Sequence, residues 1–293
     1  MKNNNSVAGC TPAREVHAIL RDHHAKSLPV PARFFGFLGY LFLADNWKSK
    51  IGKSLYRLTL HRSHQVWFLN DDDREFFASA GLTDGLTVRS LPGEGIDIAR
   101  FTRTPLPQAN VDFVFLMIAR LVRDKGVMEY AQAARKVKVR HPQVTFRLLG
   151  PSYLANAMSV APSTVDEWVK QGTIEYLGSA SDVRAAIADC HCVVLPSYRE
   201  GMPRVLMEAA AMGRPVIATD VTGCRDVVAP GITGLLCKPR DADSLAQSCI
   251  DLLGLGRDQF ESMSERAHQL AHKRFDDRIV IDIYRDLVRV ATS

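Results

Sequence analysis

From about Val111 onward, short apolar runs alternate with longer amphipathic stretches. The apolar runs predict strands at 111–118, 144–149, 173–177, 192–196, 215–218 and 235–237. Helices are predicted between them, at 126–140, 163–171, 181–189, 203–212, 242–254 and 258–273. Runs such as Cys192-Val193-Val194-Leu195 are apolar at every position, as in buried parallel strands. This alternation predicts an α/β fold, a parallel sheet with helices on both faces. Upstream the pattern is looser, and residues 1–33 read as an irregular lead-in. Phe34 to Leu43 is an apolar run of ten, too short to span a bilayer. Trp47 to Arg62 reads as a helix carrying Lys48, Lys50, Lys53, Arg57 and Arg62 and no acid. Gln65–Asn70 and Leu86–Leu91 read as strands, with a helix over Asp71–Ala80 capped near Asn70 or Asp71. The last segment, Asp276 to Ala291, is amphipathic.

A chain of 293 residues is long enough for two compact domains. Its net charge of +5 suits an anionic ligand or an anionic membrane surface. No basic arm, zinc spacing or helix-turn-helix pattern stands out, so nucleic acid is not expected as a partner. Cys10, Cys190, Cys192, Cys224, Cys237 and Cys249 follow no disulfide or zinc spacing and read as free thiols of a reducing compartment. Met1 to Ala8 has no apolar core behind its lysine, which argues against a signal peptide and for a cytoplasmic location.

The chemistry concentrates between Ser197 and Pro215. Glu200 stands in a Gly/Pro loop after one predicted strand, and Glu208 stands eight positions later on the following helix. Pro203 fits that helix's first turn, and Gly213 and Pro215 stop it. Glu200 therefore lies where a strand's carboxyl end meets a helix start, the usual ligand position in an open α/β sheet. Free N–H groups and the helix dipole attract an anion there, so a diphosphate fits over Gly201, Met202, Pro203 and Arg204. Glu208 lies about 8–12 Å further along the axis at the helical rise. That is about the span from a hexose across a diphosphate to a ribose, and each carboxylate can accept from a pair of sugar hydroxyls. The plain alternative makes Glu208 an ordinary helix residue and Glu200 a loop charge. Val205-Leu206-Met207 and Ala209-Ala210-Ala211 on either side of Glu208 argue against a solvated face.

The Glu-Gly-x-Pro and Glu-Ala-x-Ala-x-Gly-x-Pro-Val context of Glu200 and Glu208 resembles the signature of retaining family 4 ("group 1") glycosyltransferases, which have the GT-B fold. Other pieces occur in the family's order: Leu91 to Phe101, Ala119-Arg120-Leu121-Val122-Arg123-Asp124-Lys125-Gly126, Leu148-Leu149-Gly150, Tyr176-Leu177-Gly178 and Gly231 to Leu236. The resemblance implies a partial N-terminal Rossmann-like domain over 34–105, a complete C-terminal nucleotide-sugar-binding domain over 106–275, and a terminal helix over 276–293 that crosses back. It implies that Arg120 and Lys125 grip the donor diphosphate, stabilising the leaving group without a metal or other cofactor. Glu200 would contact the donor sugar and Glu208 the ribose. Gly201, Met202, Pro203, Gly95, Gly150, Leu177 and Gly178 would line the donor, with the backbone near Leu177 and Gly178 at the base. The family retains anomeric configuration, with a front-face displacement generally favoured.

The implied partners are a nucleotide-sugar donor, with UDP the expected nucleotide, and a glycan or polyprenyl-linked acceptor in cell-surface polysaccharide synthesis. The aromatic run and basic helix of 34–62 admit two readings: a core strand or loop with a solvated helix, or a peripheral contact with the inner face of an anionic membrane. Family members are longer at the front, so a partner covering an incomplete N-terminal sheet is a further expectation. The competing function is an inactive nucleotide-sugar-binding remnant, or a half-enzyme needing a partner. None of His17, His23, His24, His61 and His64 can be matched to the histidine that the family uses at the donor sugar. His191, between two cysteines at a strand start, reads as structural.

Overall fold

A computed structural model of the protein describes residues 32–35, 54, 56–58, 60, 65–108, 112–152 and 158–292. The chain divides into two units: Met1–Asp97 with Arg274–Ser293, and Ile98–Lys273. In the first, β1 (Ala32–Phe35), β2 (Gln65–Phe68), α1 (Asp71–Ser79) and β3 (Thr87–Ser90) follow one another, and the strands pair in parallel in the order β1-β2-β3. Asn70 caps α1, accepting from Asp73 N at 2.8 Å. Arg57 donates to the carbonyls of Ala80 and Gly81 at 3.3 and 3.4 Å, so this cation of the basic stretch serves a helix end. Leu60, Val66, Phe68, Phe77 and Leu82 form the core beneath. The lead-in to residue 31, the apolar run beyond Phe35, and Lys48, Lys50, Lys53 and Arg62 lie outside the described residues, and so do His17, His23, His24, His61 and His64.

The second unit runs β4 (Val114–Ile118), α2 (Val127–Arg140), β5 (Thr145–Leu149), α3 (Pro162–Lys170), β6 (Glu175–Tyr176), α4 (Arg184–Ala188), β7 (Cys192–Leu195), α5 (Arg204–Ala211), β8 (Val216–Thr219), β9 (Gly234–Cys237), α6 (Ala242–Leu253) and α7 (Arg257–Arg274). Its six strands are parallel, in the order β6-β5-β4-β7-β8-β9. The connections wind outward in opposite directions from β4 and β7, which makes this pair the topological switch point. Phe115, Met117, Tyr130, Phe146, Val194 and Ile217 are among its core residues. The strand at 173–177 narrows to Glu175–Tyr176, and the helix at 181–189 to Arg184–Ala188. Asp182 accounts for the later helix start, since its carboxylate accepts from Arg184 N at 3.1 Å. The last helix, α8 (Asp277–Thr292), belongs to the first unit, where Val280 packs with Trp67, Leu69 and Leu91.

Two buried polar side chains organise the second unit. Arg214 is fully buried between α5 and β8 and reaches six oxygens: those of Ile187, Ala188, Met212, Pro105 and Thr104, and the Thr104 hydroxyl. The contacts run from 2.7 to 3.1 Å. Burial lowers its pKa, but a guanidinium remains charged at any physiological pH. His191, at the start of β7, accepts from Val114 N at 3.0 Å through Nδ1 and stacks on Phe113, as a structural residue does. Burial first, then Arg214, lowers its pKa to about 4.

Arg214→Met would remove a donor from each of these oxygens, leaving only Ile187 O and Met212 O with a backbone N–H beside them among the described residues, and urea unfolding should show a loss of about 3 kcal/mol or more. His191 predicts an acid-side slope. Its folded pKa lies below the ordinary 6.5, so its contribution is full above pH 6.5 and is lost as pH falls toward about 4. His191→Asn, which keeps an acceptor for Val114 N but does not titrate, should flatten that part of a stability–pH curve.

Candidate functional site

The carboxyl ends of β4 and β7 lead to the two sides of one site. After β4 the chain passes Arg120 and enters a 3-10 turn, Arg123–Lys125, which ends at Gly126 with φ 75°. A Cβ on Gly126 would collide with the Pro196 carbonyl, so only glycine lets this turn lie against the end of β7. The approach brings Lys125 Nζ to 2.5 Å from Glu200 Oε1, with these side chains 18% and 13% exposed. Ser197 Oγ, fully buried, donates to the same oxygen at 2.6 Å. Across the loop, Glu200 N donates to Thr222 O at 3.3 Å. Gly223, at φ 79°, lies so close that a Cβ would come within 2.5 Å of the Glu200 and Gly201 carbonyls. Tyr198 joins the same two elements, since its N donates to Asp124 O at 2.9 Å and its hydroxyl to Glu129 at 2.7 Å.

Pro203 precedes α5, and no side chain caps the helix start. Gly201 and Pro203 are buried and Met202 is half-buried beside it. One helical turn on, Glu208 Oε1 lies 3.6 Å from Arg204 Nε, and the Glu208 side chain is 12% exposed. Burial raises its pKa above 4.5; Arg204 and Arg100 pull it back and Asp182 adds to the rise. A carboxylate so placed is desolvated yet open to hydrogen-bond donors. At the neighbouring strand ends, Gly150 N donates to Gly178 O at 2.7 Å and Leu177 N to Leu148 O at 2.9 Å. Gly150 itself is pressed against the Ala119 carbonyl, next to Arg120.

Residues 112–254 match the family described as glycosyl transferases group 1. Over 281 residues the chain is 28% identical to the N,N'-diacetylbacillosaminyl-diphospho-undecaprenol alpha-1,3-N-acetylgalactosaminyltransferase of Campylobacter jejuni, covering 90% of this chain and 72% of that protein. It is 26% identical to the UDP-Gal:alpha-D-GlcNAc-diphosphoundecaprenol alpha-1,3-galactosyltransferase of Escherichia coli, over 62% of this chain and 49% of that protein. Among solved structures, Anabaena Alr3699/HepE in complex with UDP aligns with a TM-score of 0.75 at 20% identity, over 96% of this chain and 77% of that one. The chain carries a group 1 glycosyltransferase domain. Its fold is GT-B-like, and it spans about half the length of several curated relatives that it matches.

Within this glycosyltransferase domain the structure brings Lys125, Glu200 and Gly201 together at the switch point and sets Glu208 along α5 behind them. Gly150, Leu177 and Gly178 share the adjoining strand ends, while Arg120 follows β4 as an exposed residue. Gly95 belongs to the first unit. At φ 71°, a Cβ there would come within 2.6 Å of Asp277 Cα, so its glycine is required by the start of α8. Sequence reasoning passed over Ser197, Gly223 and Tyr198. Only the Thr222-Gly223 pair carried a turn signal that could have drawn attention. A cleft of about 920 Å³ lined by Pro105, Phe113, His191, Leu252 and Phe260 opens at the amino ends of β4 and β7, at the opposite edge of the sheet from the glutamates.

Glu208 gives a signed prediction. Its folded pKa is raised, so its contribution to stability is full below pH 4.5 and is lost as pH rises through the raised value. Glu208→Gln should therefore raise the melting temperature of the ligand-free glycosyltransferase at pH 7, and the gain should shrink by pH 4. No pH dependence in the difference between the two proteins would contradict the assignment of burial as the dominant cause.

Proposed function

We propose that this glycosyltransferase moves a hexosyl unit, with retention, from a UDP-sugar to a polyprenyl-diphosphate-linked or other glycan acceptor in cell-surface polysaccharide synthesis. The observation that carries this is the Lys125–Glu200 pair at the switch point, beside the uncapped start of α5 and ahead of Glu208. The donor diphosphate takes the helix start, where the helix dipole favours it. Lys125 and Arg120 offset the charge that grows on the leaving diphosphate, so the residues themselves fill the part a metal plays elsewhere. Glu200 accepts from hydroxyls of the transferred sugar, and Glu208 from the ribose. The acceptor oxygen bonds to the anomeric carbon as the bond from that carbon to the phosphate oxygen breaks, and the departing UDP takes the proton. The two relatives named above have lipid-diphosphate acceptors and alpha linkages in their names, which support this acceptor class and retention from an α-linked donor. No helix among the described residues is long and apolar enough to cross a membrane. Such an acceptor is reached in this reading from the cytoplasmic face, through peripheral contact by residues 34–62. A nucleotide-sugar-binding module without turnover is the second reading, since the side chains brought together at the switch point, Lys125, Glu200 and Ser197, all lie on the donor side in this reading.

Titration with UDP, GDP and a panel of UDP-hexoses should show UDP binding, and nucleotide release should require a polyprenyl-diphosphate-linked sugar. Binding without release under any acceptor supports the second reading, and failure to bind any of these nucleotides sinks both. Lys125→Ala and Arg120→Ala should each lower kcat/KM by roughly 10²-fold or more, as loss of a charge-stabilising donor does. EDTA should leave the rate unchanged. Sedimentation with anionic vesicles at low salt should carry the protein down, and failure to do so removes the membrane contact from this proposal.

A further inference from the structure

Among the described residues, Glu200 accepts two side-chain hydrogen bonds, both on a single oxygen. Lys125 Nζ and Ser197 Oγ both reach Oε1, at 2.5 and 2.6 Å. The two donors differ in kind. An ammonium is a rotatable point charge that holds either carboxylate oxygen equally well. The Ser197 hydroxyl sits two residues beyond β7, fully buried, with its own carbonyl accepting from the Thr219 hydroxyl at the end of β8. Thr219 is 1% exposed, so this second link is buried as well. A buried hydroxyl is desolvated at a cost unless it is bonded, and an apolar residue would extend the run of β7 more simply. The hydroxyl therefore has a directional task, and its direction is Glu200.

We infer that Ser197 is a positioning residue for Glu200, braced by Thr219. It engages Oε1 so that Oε2 stays available to the hydroxyls of the transferred sugar. The inference rests on the donor-site reading above and deepens it: the sugar-recognising carboxylate is oriented from beneath by two strand ends, while Lys125 supplies charge. A residue in this role controls the sugar and not the nucleotide.

The test compares wild type, Ser197→Ala, Thr219→Val and Thr219→Ser. For each, the Kd of UDP and the kcat with the UDP-hexose that turns over fastest on wild type are measured. Ser197→Ala should keep the UDP Kd within about twofold and lower kcat roughly 10- to 100-fold, the range for a hydrogen bond to a charged group. Thr219→Val should shift kcat in the same direction by less, and Thr219→Ser, which keeps the hydroxyl, should restore it. Retained UDP affinity also shows that each variant is folded. The inference is overturned if Ser197→Ala keeps kcat within twofold, or if UDP affinity falls in step with kcat, since that marks a general brace of the loop. Wild type that binds no UDP defeats the donor-site reading itself, before any variant is compared.

Discussion

The guanidinium of Arg214 holds together three pieces of chain. It takes the terminal carbonyls of α4 and α5 and the Thr104–Pro105 segment on the way to β4. Helix carboxyl ends leave carbonyls unsatisfied and carry partial negative charge, so a buried cation is stabilised there without a carboxylate. Ser264 donates to Gly213 O at 2.6 Å, and His268 Nδ1 lies 2.7 Å from Ala211 O, so α7 closes the same helix end from another side. With its carboxyl end fixed in this way, α5 presents its amino end at a defined place above the sheet. The anion-attracting start of that helix owes its location to contacts a full helix length away.

At the amino end of α5 the tolerances are set by backbone rather than by side chains. Gly126 against Pro196, Gly150 against Ala119, and Gly223 against Glu200 and Gly201 are three places where main chain touches main chain. Together they fix the loops after β4, β5, β7 and β8 relative to one another. Lys125 and Glu200 meet as a consequence of that close packing. Their ion pair is partly buried, so it is screened less than a surface pair, and its geometry is shared with a serine on the rigid strand end.

Much of this was legible in the sequence because parallel strands buried on both faces are written as continuous apolar runs. Cys192 to Leu195 and Pro215 to Ala218 are such runs. Glu208 was legible for the opposite reason, as a charge among apolar neighbours. The short elements were not: β6 keeps two residues, because strand length depends on pairing with β5 and only two positions pair. Arg214 was hidden too. Between a helix-stopping glycine and a proline, an arginine looks like a surface charge, and only the carbonyls of Ile187, Ala188 and Pro105, remote in sequence, show otherwise. Ser197 was passed over because a serine beside a loop is unremarkable until its hydroxyl is seen to point at a carboxylate.

The sequence distance between Lys125 and Glu200 bears on how the molecule comes to be folded. The two residues are 75 positions apart and stand at the ends of the central strands of the sheet. Closing a loop of that length carries an entropic cost of roughly 4 kcal/mol before any contact rewards it. Strands β4, β5 and β6 can associate through local crossovers while the chain beyond them is still unstructured, and such a species would have a sheet but no site. The site exists only once β7 has docked beside β4. Its presence therefore reports that the two halves of the sheet have joined, and a nucleotide that binds there would draw the folding equilibrium toward that joining.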